Sequence, residues 1–373
     1  MNSKISLVKC KNYDSQLTFQ QAKYAIELLG GISSFVKPYS KVLVKPNLLM
    51  AMPPESAVCT HPEVVRAMIR ILKEINCKIC IGDGPSVWGN HLENVNEVYK
   101  VSGIYKVAEE EGVELIKFDT RRWKEKFPIA RAFYECDFLI NLPKFKTHEF
   151  TLMTGAVKNL FGLVWGTYKT ELHKKYFSPV EFAKILADIY QETKPALTLV
   201  DGVLAMEGDG PGSSGKPRDC GLLLAGKDCL ALDTVMASIM GVDPLDVPYI
   251  KEAAERKLGN ADLKFIEILG EKLDSVSGEP FALPVVYFKP KRLSPVIASL
   301  AKLLIKYYPC VESDNCLRCA ACIAACPKKA IKMENRGLKF QYSRCISCFC
   351  CQEVCPVAAI KIKKSFMAKI IGL

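Results

Sequence analysis

Cys316-Leu317-Arg318-Cys319-Ala320-Ala321-Cys322-Ile323-Ala324-Ala325-Cys326-Pro327 is followed by Cys345-Ile346-Ser347-Cys348-Phe349-Cys350-Cys351-Gln352-Glu353-Val354-Cys355-Pro356. Both stretches read C-x2-C-x2-C-x3-C-P, and the second repeats the first at an offset of 29 residues. This spacing belongs to thiolates that hold two [4Fe–4S] cubes, the fourth cysteine of each run serving the other cube. On that pattern Cys316, Cys319, Cys322 and Cys355 take one cluster, and Cys345, Cys348, Cys351 and Cys326 take the second. Two intervening residues leave room only for a loop, so the thiolates converge around one cube. Pro327 and Pro356 then turn the chain away without leaving an N–H to satisfy. Ala330-Ile331-Lys332 recurs as Ala359-Ile360-Lys361, as expected of two half-domains packing apolar residues over the cubes. A structural zinc site calls for four ligands in a tetrahedron, not for a doubled eight-thiolate array. Cys310 and Cys350 fall outside the spacing and read as spare thiols.

Working outward, the chain of 373 residues leaves about 290 in front of this small ferredoxin-type unit. The boundaries read as an α/β domain over 1–290, an amphipathic linker helix over 291–309, the two-cluster domain over 310–365 and a basic tail over 366–373. The start, Met1 to Asn12, has no apolar export segment, and no run of 18 apolar residues spans a membrane. With 17 cysteines, eight of them cluster ligands, the expected compartment is a reducing, anaerobic, prokaryotic cytoplasm. The formal charge is +11, and two oxidised cubes with their thiolates lower it to about +7. That excess suits anionic substrates or an acidic redox partner. Basic residues are dispersed and not interleaved with aromatics, which argues against nucleic acid.

The front domain alternates strand-like and helix-like stretches. Strands are expected at Ile5–Lys9, Lys41–Lys45, Cys77–Ile81, Val113–Phe118, Phe138–Asn141, Leu197–Val200, Leu222–Ala225 and Val285–Phe288. Between them, Thr18-x-x-Gln21 reads as a capping box, and Thr60-His61-Pro62-Glu63 opens a second helix. Residues 95–112 read as helical, Ser178-Pro179-Val180-Glu181 starts a further helix, and Asp228 caps one running to Met240. The fold class is therefore α/β, a mostly parallel doubly wound sheet followed by a small α+β two-cluster ferredoxin domain. In such a sheet ligands bind where loops leave the carboxyl ends of the strands.

Three such loops collect polar residues: Lys45-Pro46-Asn47 with His61; Asn141 to Gly162; and Asp201-Gly202 with Met206 to Pro211. Lys144, Lys146, His148 and Lys158 lie close in sequence and suit an anion clamp, although a solvated basic loop has the same composition. Gly210-Pro211-Gly212-Ser213-Ser214-Gly215-Lys216 resembles two nucleotide motifs. It opens no helix, however, and Pro217 stands where a P-loop needs Ser or Thr, so it reads as a flexible loop or lid. Cys77 and Cys80, three apart on a strand, face opposite sides and read as structural. Asp233, on an apolar helix, needs a partner and reads as a cap or brace. His91 and His173 have no evident company.

The chain resembles domain-of-unknown-function family 362, in the branch with a C-terminal two-cluster ferredoxin. The likeness rests on Val44-Lys45-Pro46-Asn47, Thr60-His61-Pro62-Glu63, Gly82-Asp83-Gly84-Pro85, Leu142 to His148, Gly155 to Gly162, Asp201-Gly202 and Glu207 to Pro211. It implies one pocket containing Lys45, Asn47, His61, Asp83, Lys144, Lys146, His148, Lys158, Asn159, Glu207 and Asp209. It implies no general reaction. The expected function is a low-potential iron–sulfur oxidoreductase. Lysines bind a small anion, and His148 or His61, with Glu207 or Asp209 as alternatives, transfers protons. The alternatives are a non-enzymatic electron carrier docking a redox partner protein, and a redox-gated metal or cluster maturation protein. No flavin or nicotinamide fingerprint survives scrutiny, and whether the pocket holds a further cofactor stays open.

Overall fold

The computed structural model describes residues 2–85, 94–166, 168–287, 307–335 and 337–365. His91, Phe288, the linker up to residue 306 and the tail 366–373 lie outside the described residues.

One large sheet organises the front domain. Its strands are β1 (Ser3–Lys9), β2 (Lys41–Pro46), β3 (Lys78–Ile81) and β4 (Glu114–Leu115). A separate small hairpin follows, β5 (Arg121–Lys124) and β6 (Phe127–Ala130). Returning to the sheet are β7 (Phe138–Leu142), β8 (Lys144–His148), β9 (Leu152–Thr154), β10 (Leu197–Gly208), β11 (Gly215–Gly226) and β12 (Ile266–Gly270). The order is β12-β1-β11-β10-β7-β2-β3-β4, with β8 and β9 added beside the upper half of β10. All strands of that order run one way except β11, which is antiparallel to both its neighbours.

Successive strand residues point to opposite faces, so a sheet covered on both sides must be apolar throughout. Val42 and Val44 enter one core and Leu43 the other. The first core is covered by α1 (Ser15–Glu27), α2 (Pro62–Glu74), α3 (Asn94–Val101) and α4 (Ile104–Glu111). The second lies under α5 (Ala156–Asn159), α6 (Tyr168–Lys175), α7 (Pro179–Glu192), α8 (Cys229–Ile239) and α9 (Pro248–Glu255). This is the doubly wound arrangement expected from the alternation of elements.

Several local expectations change. The first helix begins at Ser15, because the Asp14 carboxylate accepts from Leu17 N, while Thr18 is turned into the core. The helical stretch 95–112 is two helices broken at Gly103, and the strand after it is only Glu114–Leu115. Val285–Tyr287 form no strand. Residues 144–148 are a strand, not a loop, with Phe145 packed on Phe281 at 5.1 Å between ring centroids. Strands β10 and β11 are twelve residues each and form one long hairpin. Cys77 and Cys80 do diverge: Cys80 Sγ lies 3.5 Å from Cys136 Sγ, and Cys77 faces Lys37 O.

In the C-terminal unit, Tyr307–Val311 pairs antiparallel with Ile360–Lys364, and Ile331–Glu334 with Gly337–Phe340. Tyr307 to Pro309 thus belong to the ferredoxin-type unit and not to a linker helix. The stretch read as a flexible lid, 210–215, is the tip of the β10–β11 hairpin, and it is a docking point. Ser213 Oγ donates to Cys355 O and accepts from Ala358 N at 3.1 Å. At Gly212 the Glu353 carbonyl stands where any Cβ would go, so only glycine permits this approach.

Asp233 is a brace. Fully buried on α8, it accepts from Ala156 N at 2.6 Å and Val157 N at 3.0 Å, the first N–H groups of α5. Asp233→Ala strands both donors in an apolar core, and chemical denaturation should show a loss of about 2–4 kcal/mol. A loss under 0.5 kcal/mol contradicts the brace.

Candidate functional site

The strand order reverses between β2 and β7, and an open parallel sheet forms its crevice at that switch point. Lys45, the penultimate residue of β2, is wholly buried. Its ammonium lies 2.6 Å from Asp83 Oδ1 and donates to Pro46 O at 3.1 Å and Asn159 Oδ1 at 3.3 Å. Asp83 Oδ2 accepts from Leu48 N at 2.7 Å. Burial lowers the proton affinity of Lys45, and the Asp83 charge opposes that shift. An asparagine relay crosses the crevice. Asn47 Nδ2 donates to Asn159 Oδ1 at 3.1 Å, and Asn159 Nδ2 donates to Asn141 Oδ1 at 2.8 Å. At Gly162 a Cβ would collide with both Asp83 and Lys45, so the chain passes over the ion pair only as glycine.

A second centre lies at β8 and β10. Alternation along β8 puts Lys144 and Lys146 on one face and Phe145 on the other. Lys144 Nζ lies 2.8 Å from Asp201 Oδ2 and donates to the Tyr13 hydroxyl at 2.9 Å. That hydroxyl donates to Asp201 Oδ1 at 2.7 Å, and His61 N donates to Asp201 Oδ2 at 2.8 Å. The His61 ring stacks on Tyr13 at 3.5 Å, and its Nδ1 accepts from Glu63 N, capping α2. Burial lowers its pKa to about 4, so it is neutral at pH 7. Lys146 has only carbonyl partners, Val58 O at 2.7 Å and Pro211 O at 3.4 Å, and burial brings its pKa to about 7. His148 is buried, its Nδ1 accepts from Phe150 N, and its proton affinity is driven well down.

The cleft itself, about 60 Å³, is walled by Asn47, Asp83, Lys158 and Asn159 among the expected residues, and by Thr154, Lys169, His173 and Glu353. Asn47 Oδ1 and Thr154 Oγ1 are buried and have no hydrogen-bond partner among the described residues. Lys158 lacks a hydrogen bond or ion pair among the described residues. Burial lowers its pKa, opposed by the Glu353 charge. Lys169 donates to Gly84 O, and burial brings its pKa to about 8. His173 stacks on Phe182 at 4.5 Å, and its pKa falls to about 3 through burial.

The single implied pocket therefore divides. Lys45 sits behind its wall; Lys144, Lys146, His148 and His61 belong to the neighbouring buried layer. Glu207 and Asp209 serve the hairpin. Glu207 pairs with Arg218 at 2.7 Å and accepts from Ala282 N, and Asp209 accepts from Val285 N at 2.8 Å. Among the residues that sequence reasoning left out, Tyr13 and Lys169 carried no motif. Asp201 stood in a polar loop and in a family motif but was given no role, and Glu353 stood inside the cysteine run.

The cysteines form two separate cradles. One small cavity is lined by Cys326, Cys345, Cys348 and Cys351. The other is lined by Cys316, Cys319, Cys322 and Cys355. Each contains three thiols of one run and the fourth of the other, and aliphatic side chains fill the rest. Four thiols around an apolar void are the donor set and surroundings that a [4Fe–4S] cube needs. Cys350 is buried beside Cys348 and lines neither void, as expected of a spare thiol.

Residues 42–238 match the family described as Domain of unknown function (DUF362), and residues 308–356 match a 4Fe-4S dicluster domain. A curated relative, the thylakoid-associated protein sll1697 of Synechocystis sp., is 32% identical over 266 residues, which span 69% of this chain and 80% of the relative. Among solved structures, the lactate racemase apoprotein from Thermoanaerobacterium thermosaccharolyticum gives a TM-score of 0.37 at 16% identity. That match spans 60% of this chain and 54% of that one. No helix among the described residues is long and apolar enough to cross a membrane.

The depressed His61 pKa makes a stability prediction. Between pH 6.5 and about 4 the unfolded histidine binds a proton that the folded one refuses. Its contribution is therefore complete above pH 6.5 and is lost as pH falls through 4, by ~2–3 kcal/mol. His61→Asn keeps the helix cap, and denaturation across this range should show a shallower acid slope than wild type. Equal slopes refute the assignment.

Proposed function

The chain belongs to the DUF362 family and carries a 4Fe-4S dicluster domain, and from that premise we propose an iron–sulfur oxidoreductase that exchanges electrons with a small anion in the cleft. The observation that carries this reading is that one cleft is walled jointly by Lys158, Lys169, Asn47 and Asn159 of the front domain and by Glu353, two residues after the cluster cysteine Cys351. Cysteines 316, 319, 322 and 355 hold one cluster, and cysteines 345, 348, 351 and 326 the other. When bound, such clusters supply one-electron transfer at low potential.

The protein residues do the rest. Lys158 and Lys169 attract the anion into a site where burial strengthens charge interactions. Thr154 Oγ1 offers a free hydroxyl, and Asn47 Oδ1 accepts from a donor on the ligand. The Lys45–Asp83 pair fixes the Asn47–Asn159 wall without adding net charge. Lys169, with a pKa of about 8, releases its proton near neutral pH, and it moves the proton that accompanies reduction. His61 and His148, sealed behind the wall, keep structural roles. The cysteine-rich cluster domain suits a reducing compartment, which supports the cytoplasmic reading.

Native mass spectrometry with iron and sulfide assays on anaerobically purified protein should give about eight irons and eight sulfides. Reduced protein should then be reoxidised by a member of a small-anion panel. Lys158→Met should slow that step at least about tenfold with iron content unchanged. Reoxidation only by a partner protein, indifferent to Lys158→Met, replaces this reading with the electron-carrier one.

A further inference from the structure

The cleft has an acidic wall that comes from the other domain. Glu353 ends the four-residue helix Cys350–Glu353, between the cluster cysteines Cys351 and Cys355. It is held there by the hairpin tip, where Gly212 packs against the Glu353 carbonyl and Ser213 bonds Cys355 O and Ala358 N. Within the cleft the charges can be counted. Lys45 and Asp83 cancel at 2.6 Å, and His173 is neutral. Among the side chains that line the cleft, what remains is the Lys158 and Lys169 ammonium groups against one carboxylate, Glu353, and the negative charge of a cube held by Cys351 adds to the acidic side.

We propose that Glu353 is a specificity-determining residue that makes the composite cleft a site for a small monocarboxylate and discriminates against doubly charged anions such as phosphate. The inference rests on the reading of this cleft as an anion site and deepens it. One ammonium is matched by Glu353 and the other is left for the ligand, so a single negative charge completes the balance. A second charge on the ligand finds no free cation and meets the Glu353 carboxylate in a partly desolvated space, where like-charge repulsion is strong. The ligand's remaining polar needs are met by Thr154 Oγ1 and Asn47 Oδ1, both buried and unpartnered. A hydroxyl or amino group beside the carboxylate fits them.

The test uses the full chain with its clusters, and calorimetric titration with acetate and with inorganic phosphate at pH 7.5, where phosphate is largely a dianion and Lys169, with a pKa of about 8, still carries most of its charge. Glu353→Gln removes the charge and keeps the shape; Glu353→Asp keeps the charge. Glu353→Gln should raise phosphate affinity relative to acetate by about tenfold or more, whereas Glu353→Asp should retain the wild-type ratio. Lys158→Met should weaken both anions, and iron content should be the same throughout. An unchanged phosphate-to-acetate ratio in Glu353→Gln overturns the proposal while leaving the anion site intact. Binding of neither anion to wild type or to Glu353→Gln overturns the anion site itself, and the selectivity with it.

Discussion

Two lysine ammonium groups, those of Lys45 at the end of β2 and Lys144 at the start of β8, are held out of water, each against a single carboxylate. An isolated charge in such a place is untenable, and losing one member of a buried pair costs about 3–5 kcal/mol. The positions of Asp83 and Asp201 are therefore not free. Asp83 must follow β3 closely enough to meet Lys45, and Asp201 must lie in β10 opposite Lys144. Each carboxylate spends its second oxygen on other partners, Asp83 on Leu48 N and Asp201 on Tyr13. The pairs thus organise the loops as well as the strands, and the asparagine relay from Asn47 to Asn141 closes the gap between them.

On this frame the C-terminal unit is seated by the long hairpin. Because β11 runs against its neighbours, β10 and β11 extend together beyond the sheet edge and carry residues 210–215 out to Cys355. Glu207 and Asp209, which look like acids of the site in sequence, hold the base of this arm through Arg218, Ala282 and Val285. Their service to the cleft is to aim the arm that brings Glu353 to it.

What could be read from the sequence follows the range of the interactions. The cysteine ligand sets were legible because loop wrapping fixes their spacing locally, and the two cradles contain the expected sets. The doubly wound sheet was legible because apolar strands alternate with capped helices. Strand β8 was not, since Lys144, Lys146 and His148 violate the usual polar-out pattern by being buried, and buried lysines look like solvated ones in a sequence. Nor was the Tyr13–Asp201 contact, which joins residues 188 apart. Glu353 was hidden differently: in a run explained by its cysteines, the residue between them seemed to need no further reason.

Glu353 stands between Cys351, which lines one cradle, and Cys355, which lines the other. The same short segment thus lines both cradles and the cleft. A change of residue there cannot be judged by any one of them alone. Exchange of the C-terminal unit for that of an unrelated electron carrier would keep the cysteine cradles and remove a wall of the cleft, so the cleft is a property of both units and of neither alone.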